Sequence, residues 1–267
     1  MESMINVPNA YQMMEAHIYL NMGIYFTNYF IVEDIGVVTS RMIPDLYWNF
    51  AFTGSLVPFN TKQLSLATSQ LQSLARKPTV WQLSSFPIPD TWSVQSKEAW
   101  LWLDASEWRP PRAQATVDQL VIKDAAVPTA MMRGVFENAY SSGGTPGDIG
   151  YFMLPPQYGE AYETGRPEAP TVQRHFSGWL GDTCVAVGTA SIWRKIGGIY
   201  SVATHRDYRR RGFAKTLSSS ATTWAIKHGA LGVMLQTEAD SPVEIMYKHL
   251  GYARTHIGYL LAQDNAT

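Results

Sequence analysis

The run Arg209-Arg210-Arg211-Gly212-Phe213-Ala214, set between a strand-like segment and a helical pattern, constrains this chain most. The residues before it, Gly198-Ile199-Tyr200-Ser201-Val202-Ala203-Thr204, are rich in β-branched and aromatic types and follow a turn signal, which predicts a strand. After it, Phe213, Leu217, Ala221, Trp224 and Ala225 recur at the spacing of one buried helical stripe. Lys227, His228 and Gly229 supply the cations and the glycine that close a helix. A loop between that strand and that helix faces free backbone N–H groups and the positive end of the helix dipole. Phosphate oxygens are favoured there, and Gly212 lets the backbone come close to them. Arginines at a helix start oppose the dipole by a few tenths of a kcal/mol. An anion seated among them reverses that sign.

A second strand is predicted at Gly232-Val233-Met234-Leu235-Gln236-Thr237, followed by a short helix with complete end signals. Ser241 caps it, Pro242 suits its first position, Glu244 completes a capping box, and Gly251 suits the left-handed residue after its end. A last strand follows at 252–261.

Strand, Arg-x-x-Gly-x-Ala loop, helix, strand, short helix ending Tyr247-Lys248-His249-Leu250-Gly251-Tyr252, strand: this order resembles the GNAT superfamily of acyl-CoA-dependent N-acyltransferases. The resemblance is sharp over 198–252 and fair over 116–262. It implies an α/β (α+β) fold with a mixed, mostly antiparallel sheet flanked by helices. It also implies acetyl-CoA as acyl donor and a primary amine of a small molecule or amino acid as acceptor, acylated by direct attack. On this pattern the main chain of Val202, Ala203 and Thr204 pairs with the pantetheine arm. The amides of Arg209, Arg210, Arg211, Gly212, Phe213 and Ala214 hold the pyrophosphate, with Lys215 and the arginine side chains in reach of its oxygens. Tyr247 is the expected proton donor to the departing thiolate.

The chain also departs from the pattern. Thr204 stands where a β-branched apolar residue is usual, Arg206 where proline is common, and Arg210 where glycine is frequent. The strand at 198–202 carries no carboxylate, so the general base stays open between Glu238, His205 and a held water. Two further readings remain at this point: a CoA-binding sensor or scaffold without turnover, and acyl transfer to an oxygen acceptor.

With 46% hydrophobic residues in 267, the chain can bury a substantial core. A net charge of −1 gives no footprint for nucleic acid or an anionic membrane. One cysteine excludes an intramolecular disulfide framework, and the start lacks a leader pattern, so a cytoplasmic location is expected. No histidine pair has metal-ligand spacing, and Cys184, in an apolar run, reads as packing. Oligomeric state is not legible.

Arg109-Pro110-Pro111-Arg112-Ala113 reads as a linker, dividing the chain into 1–112 and 113–267. In the first part, 46–52 reads as a buried strand, 62–76 as an amphipathic helix, and 79–83 and 98–103 as strands. That order resembles a degenerate copy of the same fold without the phosphate loop, making the chain a tandem that binds one CoA after residue 116. A strand is expected at 119–122, and 139–162 is expected to be a long irregular acceptor loop.

Overall fold

The computed structural model describes residues 7–54, 58–83, 88–110, 119–142 and 152–264. In chain order the elements are α1 (Ala10–Asn21), β1 (Asn28–Val32), β2 (Ile35–Thr39), β3 (Phe50–Thr53), α2 (Thr61–Ser73), β4 (Thr79–Leu83) and β5 (Trp92–Asp104). They continue as β6 (Val121–Ala125), α3 (Ala130–Tyr140), α4 (Pro156–Thr164), β7 (Val172–Leu180), β8 (Thr183–Trp193), β9 (Ile196–Thr204) and α5 (Phe213–Lys227). The chain ends with β10 (Gly232–Glu238), α6 (Pro242–Lys248) and β11 (Ala253–Gln263). The fold class is the expected one, a mixed and mostly antiparallel sheet flanked by helices.

The chain forms two compact units, Met1–Trp102 with Leu235–Thr267, and Leu103–Met234. Compactness therefore follows a different line from the sequence boundary at 112, which itself lies outside the described residues. The chain leaves the first unit at the end of β5 and returns to it within β10.

In the first unit the strand order is β1-β2-β3-β4-β11-β5, antiparallel except for β3 and β4. Helix α1 opens with a reciprocal capping box, Asn9 and Gln12 each accepting the other's backbone N–H at 2.9 Å. It is buried on most of its circumference, at Met13, Met14, Ala16, His17, Ile18 and Leu20. Asn60 and Gln63 start α2 in the same way. The expected strand at 46–52 is shorter than the sequence suggests. Asp45 accepts the N–H of Tyr47 at 2.8 Å and folds Leu46–Trp48 into a 3-10 turn, and the buried Asn49 donates to the carbonyls of Ile43 and Asp45. Only at Phe50 does the ladder to β2 begin.

The second unit runs β10-β9-β8-β7-β6, with β9 and β10 parallel and the other pairs antiparallel. Helix α5 lies on β8 and β9 through Phe213, Leu217, Ala221 and Ala225, four of the five stripe positions and all buried; Trp224 is half-buried. Gly188 on β8 makes room for it, since a Cβ there would stand 2.3 Å from Leu217 Cδ2. Helices α3 and α4 pack through Met132, Val135, Phe136 and Tyr162 against Trp179, Cys184, Val187 and Ala203. Cys184 is buried in that cluster, and burial pushes its thiol up to about 11, consistent with packing and no reactivity. The strand expected at 119–122 is β6, shifted to Val121–Ala125. Among the described residues no helix is long and apolar enough to cross a membrane.

The capping box expected at Ser241 and Glu244 is half right. Ser241 Oγ accepts the Glu244 N–H at 3.2 Å, but the Glu244 carboxylate takes the N–H of Asp240 instead of that of Ser241. Glu244 is 1% exposed and ion-paired with Arg254 and with Lys248 at 2.8 Å. Hydrogen bonds from Arg254, above all, hold its carboxyl at about 2. Lys97 and then Arg254 hold exposed Asp240 at about 2 as well. Both groups bind protons less readily folded than unfolded, so their stabilisation is complete above the ordinary carboxyl range and is lost as pH falls from about 5 toward 2. Glu244→Gln should cost on the order of 1–2 kcal/mol at neutral pH after solvent screening. It should also flatten the acid limb of stability against pH, which chemical denaturation at several pH values would measure.

Candidate functional site

In the second unit β9 leads into the arginine loop with an irregular ladder on one side and a short one on the other. Its register to β8 shifts between the pairs Val187–Ala203 and Thr189–Tyr200, and Ser201 has φ 53°, so the strand bulges immediately before Val202. Its ladder to β10 spans Ile196 to Gly198 and stops there. Past the bulge the main chain carries polar groups that the β10 ladder does not use. The Val202 carbonyl accepts the Tyr140 hydroxyl at 3.2 Å, and the Thr204 carbonyl accepts Arg209 Nε at 3.4 Å. Ala203 is buried against α3, while Thr204 Oγ1 is buried without a hydrogen-bond partner among the described residues.

After Thr204 the chain makes a 3-10 turn, Arg206–Tyr208, capped by His205, whose Nδ1 accepts the Asp207 N–H at 3.4 Å. That cap occupies one ring nitrogen of a residue considered above as a base. Asn138 on α3 accepts the Arg206 N–H at 2.9 Å and ties the turn down. Arg210 at φ 61° and Gly212 at φ 84° both take the left-handed conformation. The requirement for positive φ is the physical reason glycine suits position 210, and here an arginine meets it at a cost. Helix α5 begins at Phe213 with Gly212 as its cap and no side-chain cap, so the N–H groups of Phe213, Ala214 and Lys215 have no capping side chain. Uncapped amides, a dipole end and exposed basic side chains make a fitting seat for an anion.

The arginines do not act alike. Arg209 donates through Nη2 to the Ala139 carbonyl at the end of α3, and Arg211 reaches the Asp207 carbonyl at 3.4 Å while lying 5.2 Å over the Tyr208 ring. These two shape the loop as well as charge it. Arg210 is exposed.

Tyr247 lies in the first unit on α6, 5% exposed, with its ring edge-on to Tyr252 at 5.7 Å. Its carbonyl accepts the N–H groups of Leu250 at 2.9 Å and Tyr252 at 3.1 Å, and Gly251 at φ 97° completes the expected turn. Glu238, in the same unit, is exposed at the end of β10, where its carbonyl accepts Ser241 Oγ at 2.7 Å. Sequence reasoning missed its neighbour Glu98 on β5. Ser96 Oγ donates to the Glu98 carboxylate, whose pKa is raised by burial, with the Glu238 charge adding to the rise. No local motif marks Glu98; only strand pairing brings it beside residues far along the chain.

The stretch 139–162, expected to be irregular, divides differently. Helix α3 runs to Tyr140, α4 starts at Pro156, and 143–151 lie outside the described residues. Between these helices is a groove of about 550 Å³ in the second unit, lined by Arg133, Asn138, Ser142, Phe152, Leu154 and Arg206.

Residues 149–252 match the model of the Acetyltransferase (GNAT) family. The chain carries a GNAT domain. That match spans the bulged strand, the uncapped helix and the tyrosine turn, and it makes acyl-CoA-dependent acyl transfer the activity class. A GCN5-related N-acetyltransferase from Kribbella flavida superposes with a TM-score of 0.67 at 15% identity, over 98% of each chain. A tandem GNAT protein from the clavulanic acid biosynthesis pathway gives 0.59 at 12%, over 87% of this chain and 79% of that one. A putative GNAT-family acetyltransferase from Novosphingobium aromaticivorans gives 0.53 at 14%, over 88% and 91%. At these identities the likeness is one of fold. No curated protein sequence matches the chain.

Arg210→Gly should relieve the left-handed arginine and raise stability by roughly 0.5–1 kcal/mol, a rise of about 2 °C in Tm for a chain of this size. Arg209→Ala should lower Tm, because it removes the donor to Ala139 and Thr204. Thermal melts of the two variants check this; equal shifts would refute the division of labour among the arginines.

Proposed function

We propose that the protein is an N-acetyltransferase that moves the acetyl group of acetyl-CoA to a primary amine of a small molecule or amino acid. The observation that carries this is the uncapped N-terminus of α5 behind left-handed Arg210 and Gly212, a fitting seat for a pyrophosphate. In this reading the pantetheine arm lies along Val202, Ala203 and Thr204, and the amides from Arg209 to Ala214 hold the phosphates with Lys215. A neutral amine attacks the thioester carbonyl to give a tetrahedral oxyanion. Its collapse breaks the C–S bond, and the thiolate leaves with a proton from the Tyr247 hydroxyl. The nitrogen, cationic once the C–N bond has formed, loses a proton to a carboxylate, Glu238 or its neighbour Glu98, and the neutral amide results. Residues 1–112 act as a degenerate GNAT-like part without a phosphate loop, 113–267 as the catalytic part, and one CoA binds per chain. No metal takes part.

Calorimetry with acetyl-CoA tests the seat. Gly212→Val places a β-branched residue at φ 84° and should weaken donor affinity at least about tenfold, the loss of one or two charge-assisted bonds. Tyr247→Phe should leave that affinity unchanged and lower turnover by ten- to 10⁴-fold, the range of a lost general acid. Thiol release over a panel of amines and alcohols reads the acceptor. Donor binding without release on any of them would replace the enzyme by a CoA sensor, and release on alcohols alone would make it an O-acyltransferase.

A further inference from the structure

On β5, Ser96, Glu98 and Trp100 fall at every second residue and so share one face of the sheet in the first unit. Across the ladder to β11, Gly258 stands opposite Glu98 and His256 opposite Trp100. Gln236 and Glu238 are likewise two apart on β10, and the Glu238 charge acts on both Glu98 and Tyr47. Neither carboxylate has an ion-pair partner among the described residues.

Unpartnered polar groups lie on the same three strands. Trp100 is completely buried, yet its indole N–H has no hydrogen-bond partner among the described residues. It lies against Gly258, 2.9 Å from where a Cβ would stand there, so it points along the row that holds Glu98. Gln236 Nε2 and His256 Nδ1 are also buried and unpartnered among the described residues. Such groups cost free energy in a folded chain unless something else bonds them. The indole N–H can only donate, and the carboxylates can only accept while ionised. A ligand that satisfies both must bring a cation and, close to it, an oxygen acceptor. A carboxylate oxygen would place a third negative charge beside Glu98 and Glu238, so the oxygen must be neutral.

We propose that this face binds a primary ammonium group carrying a neutral oxygen, as an amino alcohol or an amino amide does. The ammonium sits on Glu98 and Glu238, and the oxygen takes the Trp100 N–H. That this amine is the acetyl acceptor rests on the reading of the protein as an N-acetyltransferase; the binding site itself does not. Burial raises the Glu98 pKa and the Ser96 hydrogen bond opposes the rise, so a bound cation supplies the counter-charge this carboxylate otherwise lacks.

Calorimetry on the full chain tests the proposal with three probes: phenylalaninol, 3-phenylpropane-1,2-diol, which replaces the ammonium by a hydroxyl, and 2-phenylethylamine, which lacks the oxygen. Phenylalaninol should bind roughly tenfold or more tightly than either of the others, as expected for charge-assisted and buried hydrogen bonds. Glu98→Gln should abolish its advantage over the diol. Trp100→Phe, which keeps a ring, should abolish its advantage over phenylethylamine. Lys97→Gln, one residue along and on the opposite face, should change neither. Equal binding of phenylalaninol and the diol by the unaltered chain, or an undiminished preference in Glu98→Gln, would overturn the proposal. Acetyl-CoA titrations on the same samples report folding and keep the two readings separate. A chain that prefers phenylalaninol but binds no acetyl-CoA would retain this site and lose the acetyltransferase reading.

Discussion

Helix α5 starts without a side-chain cap, and the packing of the second unit holds it there. A capping side chain in place of Gly212 would contribute only a few tenths of a kcal/mol, while a left-handed arginine forfeits about 1 kcal/mol. The chain accepts both losses at one loop, where Gly212 gives no side-chain cap and Arg210 sits at φ 61°. Burial immediately downstream outweighs them. Phe213 and Leu217, 3% and 0% exposed, contribute roughly 1.5–3 kcal/mol each, and Gly188 is absent a side chain where Leu217 needs the space. The helix is thus anchored by side chains on its buried face from Phe213 onward, which leaves the backbone N–H groups of its first turn without a capping side chain.

The same trade appears on β9. A bulge at Ser201 interrupts the pairing with β8, which resumes at Ala203 and Thr204, and the ladder to β10 ends at Gly198, so Val202 to Thr204 have no β10 partner. Tyr140 donates to the Val202 carbonyl, and Arg209 links Thr204 to the end of α3. Helix α3 therefore touches the strand and the loop through side chains. An arm pairing with Val202 competes with one neutral hydrogen bond, whose net worth is only about 1 kcal/mol, so the competition does not forbid binding.

What could be read from the sequence was what local chemistry determines. The arginine loop, the stripe of α5, and the proline, serine and glycine around α6 each act within a few residues, and the elements formed as expected. Helix α1 was not legible because burial on most sides removes the polar face that periodicity needs. The strand expected at 46–52 gave way to Asp45 and Asn49, whose side chains bond the backbone and turn it before Phe50. Glu244 read as half of a capping box but serves a buried ion-pair network with Arg254, ten residues along. Glu98 and its neighbours come from β5, β10 and β11, so only the pairing of strands distant in sequence assembles them.

Strand pairing also separates folding from sequence order. β11 lies last in the chain, and both of its ladders, to β4 and to β5, are with strands that precede the Pro110-Pro111 stretch. Thr255 adds a side-chain bond to the Trp100 carbonyl at 3.1 Å, and Lys97 pairs with Asp240 at 2.8 Å. A chain beginning at residue 113 would therefore keep the arginine loop and lose every strand neighbour of β11, exposing the backbone of Leu260 and Leu261, residues that are 1% and 2% exposed in the whole protein. The segment that carries Tyr247 and Glu238 depends for its burial on the half of the chain that carries no family signature. That dependence gives residues 1–102 a structural task whatever their ancestry, since without them α6 and β11 lack a sheet to belong to.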